Sequence, residues 1–129
     1  VGQRAEWVDS WADPKTAKVR LYYTGWSSST GEADWALRPL FSTEAWAPKL
    51  NNMSFYSNDV VDGGIAKALV STDDNEQAAL YKSVQEQLMT DLPRIPLVTE
   101  ENLSAHSKRL SGVYVMPDAN INIDEITLK

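Results

Sequence analysis

Hydrophobic residues recur at helical intervals in two stretches near the middle of the chain. The first follows a run of cap-forming residues at 57–59, and its apolar face is Val61, Ile65, Ala68 and Leu69. Its two central glycines, Gly63 and Gly64, weaken the pattern, because glycine costs about 1 kcal/mol relative to alanine inside a helix. The spacing nevertheless predicts a helix from about residue 59.

The second stretch has the clearest helical signature in the chain. Thr72 or Asp73 opens it, with Glu76 at the spacing of a capping box. Its apolar face is Leu80, Val84 and Leu88, and Pro93 marks its end. A long amphipathic helix is therefore predicted between residues 73 and 92.

Shorter elements are predicted on the N-terminal side. Residues 3–13 form a short helical pattern, with Trp7 and Trp11 four positions apart. Residues 19–24 alternate as a strand does, and they lead into a loop at 25–32 that is rich in small polar residues. Asp34 is in position to cap a short helix that reaches Leu40 or Phe41, although Pro39 would bend or end it.

The remaining segments are predicted from weaker patterns. Residues 42–56 show no regular period, although they are rich in aromatic side chains, so they are expected to be a functional or packed loop. A short buried strand is predicted at 95–98, a helical turn at 102–107 and a strand at 112–116. The tail at 118–129 alternates isoleucine with polar residues, as a pairing strand does.

Length and composition place the chain among ordinary globular domains. At 129 residues it is expected to form one structural unit, 1–129. The net charge of −6, without a basic run, disfavours nucleic acid and anionic lipid as partners. The lack of cysteine excludes disulfides and thiolate metal sites, and the motifs of metal and cofactor sites are also missing.

The start of the chain leaves two interpretations of its location. No apolar stretch approaches the 18 or so residues of a membrane-spanning helix, and residues 1–4 do not open a signal peptide. We therefore expect either a cytoplasmic chain or one whose N-terminal part has been removed.

Catalytic constellations are poorly supported by the sequence. His106 is the single histidine, and a serine hydrolase would have to combine it with Ser104 or Ser107 without a nucleophile elbow. The adjacent carboxylates at 73–74 and 100–101 do not share one face of a helix or strand. The sequence therefore favours a protein that is not an enzyme.

The tryptophans are the remaining candidates for function. The spacing of Trp7, Trp11 and Trp35 fits packing on helical faces. Trp26 and Trp46 instead lie in loops among small or polar neighbours, where an indole ring can cover a ligand while hydroxyl and amide groups bind its polar atoms. These two residues are the predicted ligand contacts.

Several ordered motifs resemble one family of transport proteins. They are residues 21–26 (LYYTGW), 31–35 (GEADW), 55–58 (FYSN), Leu80–Tyr81 and 91–97 (DLPRIPL). In this order they resemble the C-terminal part of the extracytoplasmic solute-binding proteins of peptide-type ABC importers, known as family 5. The likeness extends over nearly the whole chain but over a minority of a full receptor.

This resemblance implies both a fold and a set of contacts. The fold implied is α/β, part of the second lobe of a two-lobed periplasmic binding protein (type II), with short strands, several helices and long ligand-lining loops. Thr24, Trp26 and Ser27 are implied as ligand contacts, and Asn52 less directly. Asp34 and Arg38 could meet a ligand amine or carboxylate, although a cap or a surface ion pair explains them equally well.

One departure from the family bears on the ligand. Many dipeptide and oligopeptide receptors place an aspartate after this strand to meet the ligand α-amino group, and Trp26 stands at the matching position here. The difference disfavours ordinary α-peptides and agrees better with a γ-linked peptide such as glutathione. The resemblance also implies a periplasmic location and a membrane permease as partner.

Two alternatives and one further expectation accompany this interpretation. The aromatic loops could instead dock another protein, which would require Trp26 and Trp46 to share a flat exposed patch. The serine hydrolase described above is the other alternative. Apolar surface that meets the rest of a receptor would also favour self-association of the chain.

Overall fold

A computed structural model describes residues 13–15, 17–18, 21–116 and 118–129. Trp7 and Trp11, with the helix predicted around them, lie outside the described residues. The elements in chain order are α1 (Ala33–Phe41), a 3-10 turn (Thr43–Ala45), α2 (Asp59–Val70), α3 (Asp74–Asp91), β1 (Leu110–Ser111) and β2 (Thr127–Leu128). Within the described part of the chain, no helix is both long and apolar enough to cross a membrane.

Helix α2 begins where the cap residues predict. The side-chain oxygen of Asn58 accepts hydrogen bonds from the backbone N–H groups of Val60 and Val61, at 2.9 and 3.4 Å. The helix buries Val61, Ile65 and Ala68, whereas Leu69 of the predicted face is 55% exposed. The apolar face is therefore narrower than its sequence pattern indicates.

Helix α3 confirms the strongest prediction from the sequence. Asp73, rather than Thr72, is its N-cap, and its carboxylate accepts from the backbone N–H groups of Asn75 and Glu76. The helix ends at Asp91, and its C-cap Leu92 takes the left-handed conformation (φ 48°) directly before Pro93. Its buried residues are Tyr81, Val84 and Leu88.

The core lies between α2 and α3. It consists of Val61, Ile65, Val84 and Leu88, with Leu37, Phe41 and Tyr56 packed against it. Leu37 and Phe41 belong to α1, which therefore lies on the helix pair. Gly64 of α2 faces Val84 so closely that an added Cβ would stand 2.5 Å from Val84 Cγ2. The glycine that weakens the helical pattern thus permits the close packing of the two helices.

Polar contacts join the end of α3 to the start of α2. The Asp91 carboxylate accepts from the Tyr56 hydroxyl at 2.6 Å, the Asn58 amide at 2.9 Å and the Gln87 amide at 3.0 Å. The hydrogen bond from Tyr56 is the main reason that the pKa of Asp91 is lowered. Burial, followed by the bond to Asp91, raises the pKa of the Tyr56 phenol.

Three predicted elements on either side of the core are wrong. The described residues 21–24 are not in a strand, residues 95–98 form no strand, and residues 102–107 form no helix. Ile95, Leu97 and Val98 are each at least 67% exposed, so the apolar run is not a buried strand. A strand exists only where a second segment lies beside it, and a local alternation pattern does not specify that second segment.

The C-terminal strands are shorter than predicted and displaced. The predicted strand at 112–116 is replaced by β1 at Leu110–Ser111, which pairs antiparallel with β2 in the tail, and Val115 forms an isolated bridge with Ile121. Gly112 turns the chain at φ +75°, where an added Cβ would stand 2.0 Å from the Glu125 carbonyl oxygen. The prediction that the tail pairs is confirmed. The fold mixes helix and strand, as expected of an α/β chain.

The close packing at Gly64 leads to a stability prediction. Gly64→Ala should lower the free energy of unfolding by about 1–3 kcal/mol, because the new methyl group must displace Val84. Gly63→Ala is the matched control, since an added Cβ there meets nothing within 4 Å, and it should raise stability by up to about 1 kcal/mol. Urea denaturation measures both variants. Equal stabilisation by the two alanines would contradict this account of the packing.

Candidate ligand-binding site

The Trp26 side chain is held against the start of α1. Its indole N–H donates to the backbone carbonyl oxygen of Trp35 at 3.0 Å. The two indole rings lie 6.2 Å apart between centroids and are tilted by 43°. Trp26 is nevertheless 37% exposed, so the residue remains accessible to solvent.

The loop around Trp26 is ordered on its C-terminal side by its own hydroxyl groups. Ser28 Oγ donates to the Glu32 carbonyl at 3.0 Å, and the Glu32 N–H donates to Thr30 Oγ1 at 3.2 Å. On the N-terminal side, Thr24 and Ser27 are exposed, and the Thr24 hydroxyl donates to the neighbouring Gly25 carbonyl at 3.2 Å. The predicted loop at 25–32 is confirmed, since no residue in it is helix or strand.

Asp34 and Arg38 bind each other. The Arg38 guanidinium donates from Nε and Nη2 to both carboxylate oxygens of Asp34, at 2.7–3.0 Å. This hydrogen bonding is the main reason that the pKa of Arg38 is raised. Asp34 does not take the cap position that the sequence predicted for it. Glu32 holds that position, and Asp34 lies in the first turn, four residues before Arg38. In this arrangement each charge is neutralised by the other.

Asn52 is completely buried, and both the nitrogen and the oxygen of its side-chain amide form hydrogen bonds within the protein. The amide nitrogen donates to the carbonyl oxygens of Ser42 and Tyr56, each at 2.9 Å. The amide oxygen accepts from the Ser54 hydroxyl at 3.1 Å and from the Tyr56 N–H at 3.2 Å. Asn52 thereby fixes the irregular segment 42–56, and its side chain presents no surface to a ligand in this structure.

Trp46 belongs to the same segment as Asn52. Its indole N–H donates to the Tyr56 carbonyl at 2.8 Å, and its ring meets the ring of Phe55 edge to face at 5.9 Å. The side chain is half-buried. Trp46 therefore packs within this loop, and its indole nitrogen is already hydrogen-bonded to the backbone.

The structure separates the predicted site residues into two groups. Thr24, Trp26 and Ser27 lie together in one exposed loop, with the ion pair of Asp34 and Arg38 in the helix that follows. Asn52 and Trp46 lie in the 42–56 segment. Trp35 is the residue that sequence reasoning assigned only to packing, although its carbonyl positions Trp26.

The structure adds no support for a catalytic site around His106 or for a metal site among the described residues. His106 is exposed, and the Ser107 hydroxyl accepts from the backbone N–H of Arg109. Among the described residues, no group of three histidine, cysteine, aspartate or glutamate side chains could hold a metal ion. The exposed loop around Trp26 is thus the best candidate for a site, and its side chains are suited to binding.

Similarity to known proteins agrees with a ligand-binding class. No family model matches the chain. The chain is 48% identical over 128 residues, 99% of its length, to proteins named glutathione-binding protein GsiB in Salmonella typhimurium, Escherichia coli K12 and Shigella dysenteriae. It spans about a quarter of the length of these curated relatives, at 25%. The resemblance drawn from the sequence motifs is thereby confirmed.

The buried amide of Asn52 leads to a second stability prediction. Asn52→Ala should lower the free energy of unfolding by about 2 kcal/mol or more, because buried carbonyl and N–H groups lose their partners. Asn75→Ala is the matched control, since Asn75 is exposed on α3 and should change stability by about 0.5 kcal/mol or less. Thermal and urea unfolding measure both. Equal stabilities would show that the Asn52 hydrogen bonds do not hold this loop.

Proposed function

We propose that this chain forms one wall of the ligand cleft of a periplasmic solute-binding protein. The receptor captures glutathione or a related short peptide and delivers it to the membrane permease of an ABC importer. Support comes from the 48% identity to glutathione-binding proteins along nearly the whole chain. In this proposal the chain is part of the second lobe of a type II fold, and it binds its ligand without making or breaking a bond.

The orientation of Trp26 is the observation that carries the proposal. Its indole N–H is already bonded to Trp35, so the ring offers a ligand an apolar π surface rather than a hydrogen bond. A peptide has flat amide groups and methylene units that such a surface can cover. The exposed hydroxyl groups of Thr24 and Ser27, on either side of Trp26, can bind the polar atoms of the same ligand.

The other predicted site residues are best assigned to support of this surface. Asp34 and Arg38 would have to break a bidentate ion pair before either could meet a ligand. Asn52 and Trp46 would have to leave the backbone groups that they now satisfy. We therefore limit the proposed direct contacts of this wall to Thr24, Trp26 and Ser27.

The small size of this wall has a consequence for affinity. The chain spans about a quarter of its relatives, so the remaining contacts to a ligand would come from the rest of such a receptor. Binding by the isolated chain should accordingly be weak. Exposed apolar residues such as Leu21, Leu97 and Leu103 also favour self-association of the chain, in keeping with the expectation from its sequence.

A protein-docking function has less support. It would require Trp26 and Trp46 to form one flat exposed patch, but Trp46 is half-buried against Phe55. The hydrolase alternative is disfavoured by the names of the relatives, which describe binding. Ligand capture therefore remains the function that these residues support best.

Transplantation into a known receptor tests the proposal. The chain should replace the matching quarter of the Escherichia coli glutathione-binding protein, and calorimetry should show that the chimaera binds glutathione. Trp26→Ala should weaken this binding about tenfold or more, as expected for loss of a central aromatic contact. Tyr114→Ala is the control, because it removes an exposed aromatic ring from a different part of the chain.

The possible outcomes separate the two parts of the proposal. A chimaera with the melting temperature of the native receptor but no heat of binding would contradict the peptide ligand. Unchanged affinity after Trp26→Ala would contradict the role of Trp26 while leaving the ligand in place.

A further inference from the structure

Proline inside helix α1 changes the hydrogen bonding of the preceding turn. In an α-helix the N–H of residue 39 would donate to the carbonyl oxygen of residue 35. Residue 39 is proline, which has no N–H and whose ring crowds the carbonyl four residues earlier. The carbonyl of Trp35 is therefore left without its helical donor.

The indole of Trp26 takes the place of the missing donor. Its N–H lies 3.0 Å from the Trp35 carbonyl oxygen, although the two residues are nine positions apart and Trp26 lies in a loop. A buried or half-buried carbonyl normally finds a partner, and an indole N–H can only donate. Each group thus meets the requirement of the other.

The residues around this bond hold both partners in place. Arg38, anchored by Asp34, lies 6.0 Å from the centre of the Trp35 ring, while the Trp26 ring packs against the same indole. On the other side, the loop is fixed by the bond from the Ser28 hydroxyl to the Glu32 carbonyl and by the bond from the Glu32 N–H to the Thr30 hydroxyl. Trp26 therefore has one orientation that several independent contacts favour.

We propose that Pro39 is a positioning residue for Trp26. By withholding an N–H, Pro39 reserves the Trp35 carbonyl for the Trp26 indole, and we name this arrangement the indole latch. Pro39 is itself fully buried, so its ring presents no surface to a ligand. The effect of the latch on ligand binding rests on the proposed function. If the Trp26 ring is already ordered before the ligand arrives, less conformational entropy is lost upon binding.

Hydrogen exchange of the indole N–H groups tests the latch without any ligand. In the 129-residue chain, Pro39→Ala supplies the missing helical donor, which should compete for the Trp35 carbonyl. The Trp26 indole N–H should then exchange about three to ten times faster, the range expected for one solvent-accessible hydrogen bond. The Trp46 indole N–H, bonded to Tyr56, is an internal control that should not change.

Matched variants keep this result interpretable. Pro93→Ala removes a proline outside α1 and should leave the Trp26 exchange rate unchanged. An unchanged rate in Pro39→Ala would overturn the proposal. If Pro39→Ala also speeds exchange at the Trp46 indole N–H, the substitution has disturbed the fold beyond α1. In that case Trp26→Phe is the variant that tests the latch. This variant removes the donor without touching α1, so the Trp35 carbonyl carbon resonance should move upfield, and no movement would overturn the latch.

A double-mutant cycle connects the latch to binding. In the receptor chimaera, Pro39→Ala and Trp26→Phe should each weaken glutathione binding, and the double variant should be no weaker than Trp26→Phe alone. Independent, additive losses would show that Pro39 does not act through Trp26. A chimaera that fails to bind glutathione would count against the proposed function alone, since the exchange measurement stands without a ligand.

Discussion

The close contact between α2 and α3 is the constraint on which the rest of the structure depends. Gly64 lets Val84 approach the backbone of α2, and the two helices enclose a small apolar core. Helix α1 packs on that core through Leu37 and Phe41, and the carbonyl of Trp35 in α1 holds Trp26. The candidate ligand surface is thus connected to the core through α1, and its rigidity depends on that helix and on the contacts of Trp26 with Trp35.

Buried polar groups extend this order into segments without regular structure. The Asn52 side chain satisfies four hydrogen-bonding groups within 42–56, a segment in which the backbone pairing described is an isolated bridge between Trp46 and Asn52. The same principle operates at Trp35, where a proline creates an unsatisfied carbonyl and Trp26 satisfies it. In both places a side chain replaces a missing backbone partner and thereby gives a loop one conformation.

The parts of the fold that could be predicted are those determined by local interactions. Helical periodicity and the caps at Asn58 and Asp73 act within a few residues, so α2 and α3 were predictable. The predictions of strands at 95–98 and 112–116 were wrong because strand pairing depends on segments that are distant in the sequence. The burial of Asn52 was not predictable, since its partners are mostly backbone groups and carry no sequence signal. Two other features did have a sequence signal. The four-residue spacing of Asp34 and Arg38 indicates their ion pair, and the proline at position 39 within a helix indicates a carbonyl without its helical donor, on which the latch depends.

Labelled indole resonances provide the most direct test that Trp26 marks the ligand surface. Glutathione would be titrated into the receptor chimaera carrying ¹⁵N-labelled tryptophan, with Trp26 and Trp46 assigned by substitution. Saturable movement of the Trp26 resonance, with little change at Trp46, is the predicted result. Saturable binding that leaves Trp26 unmoved would contradict the account and place the ligand on another surface.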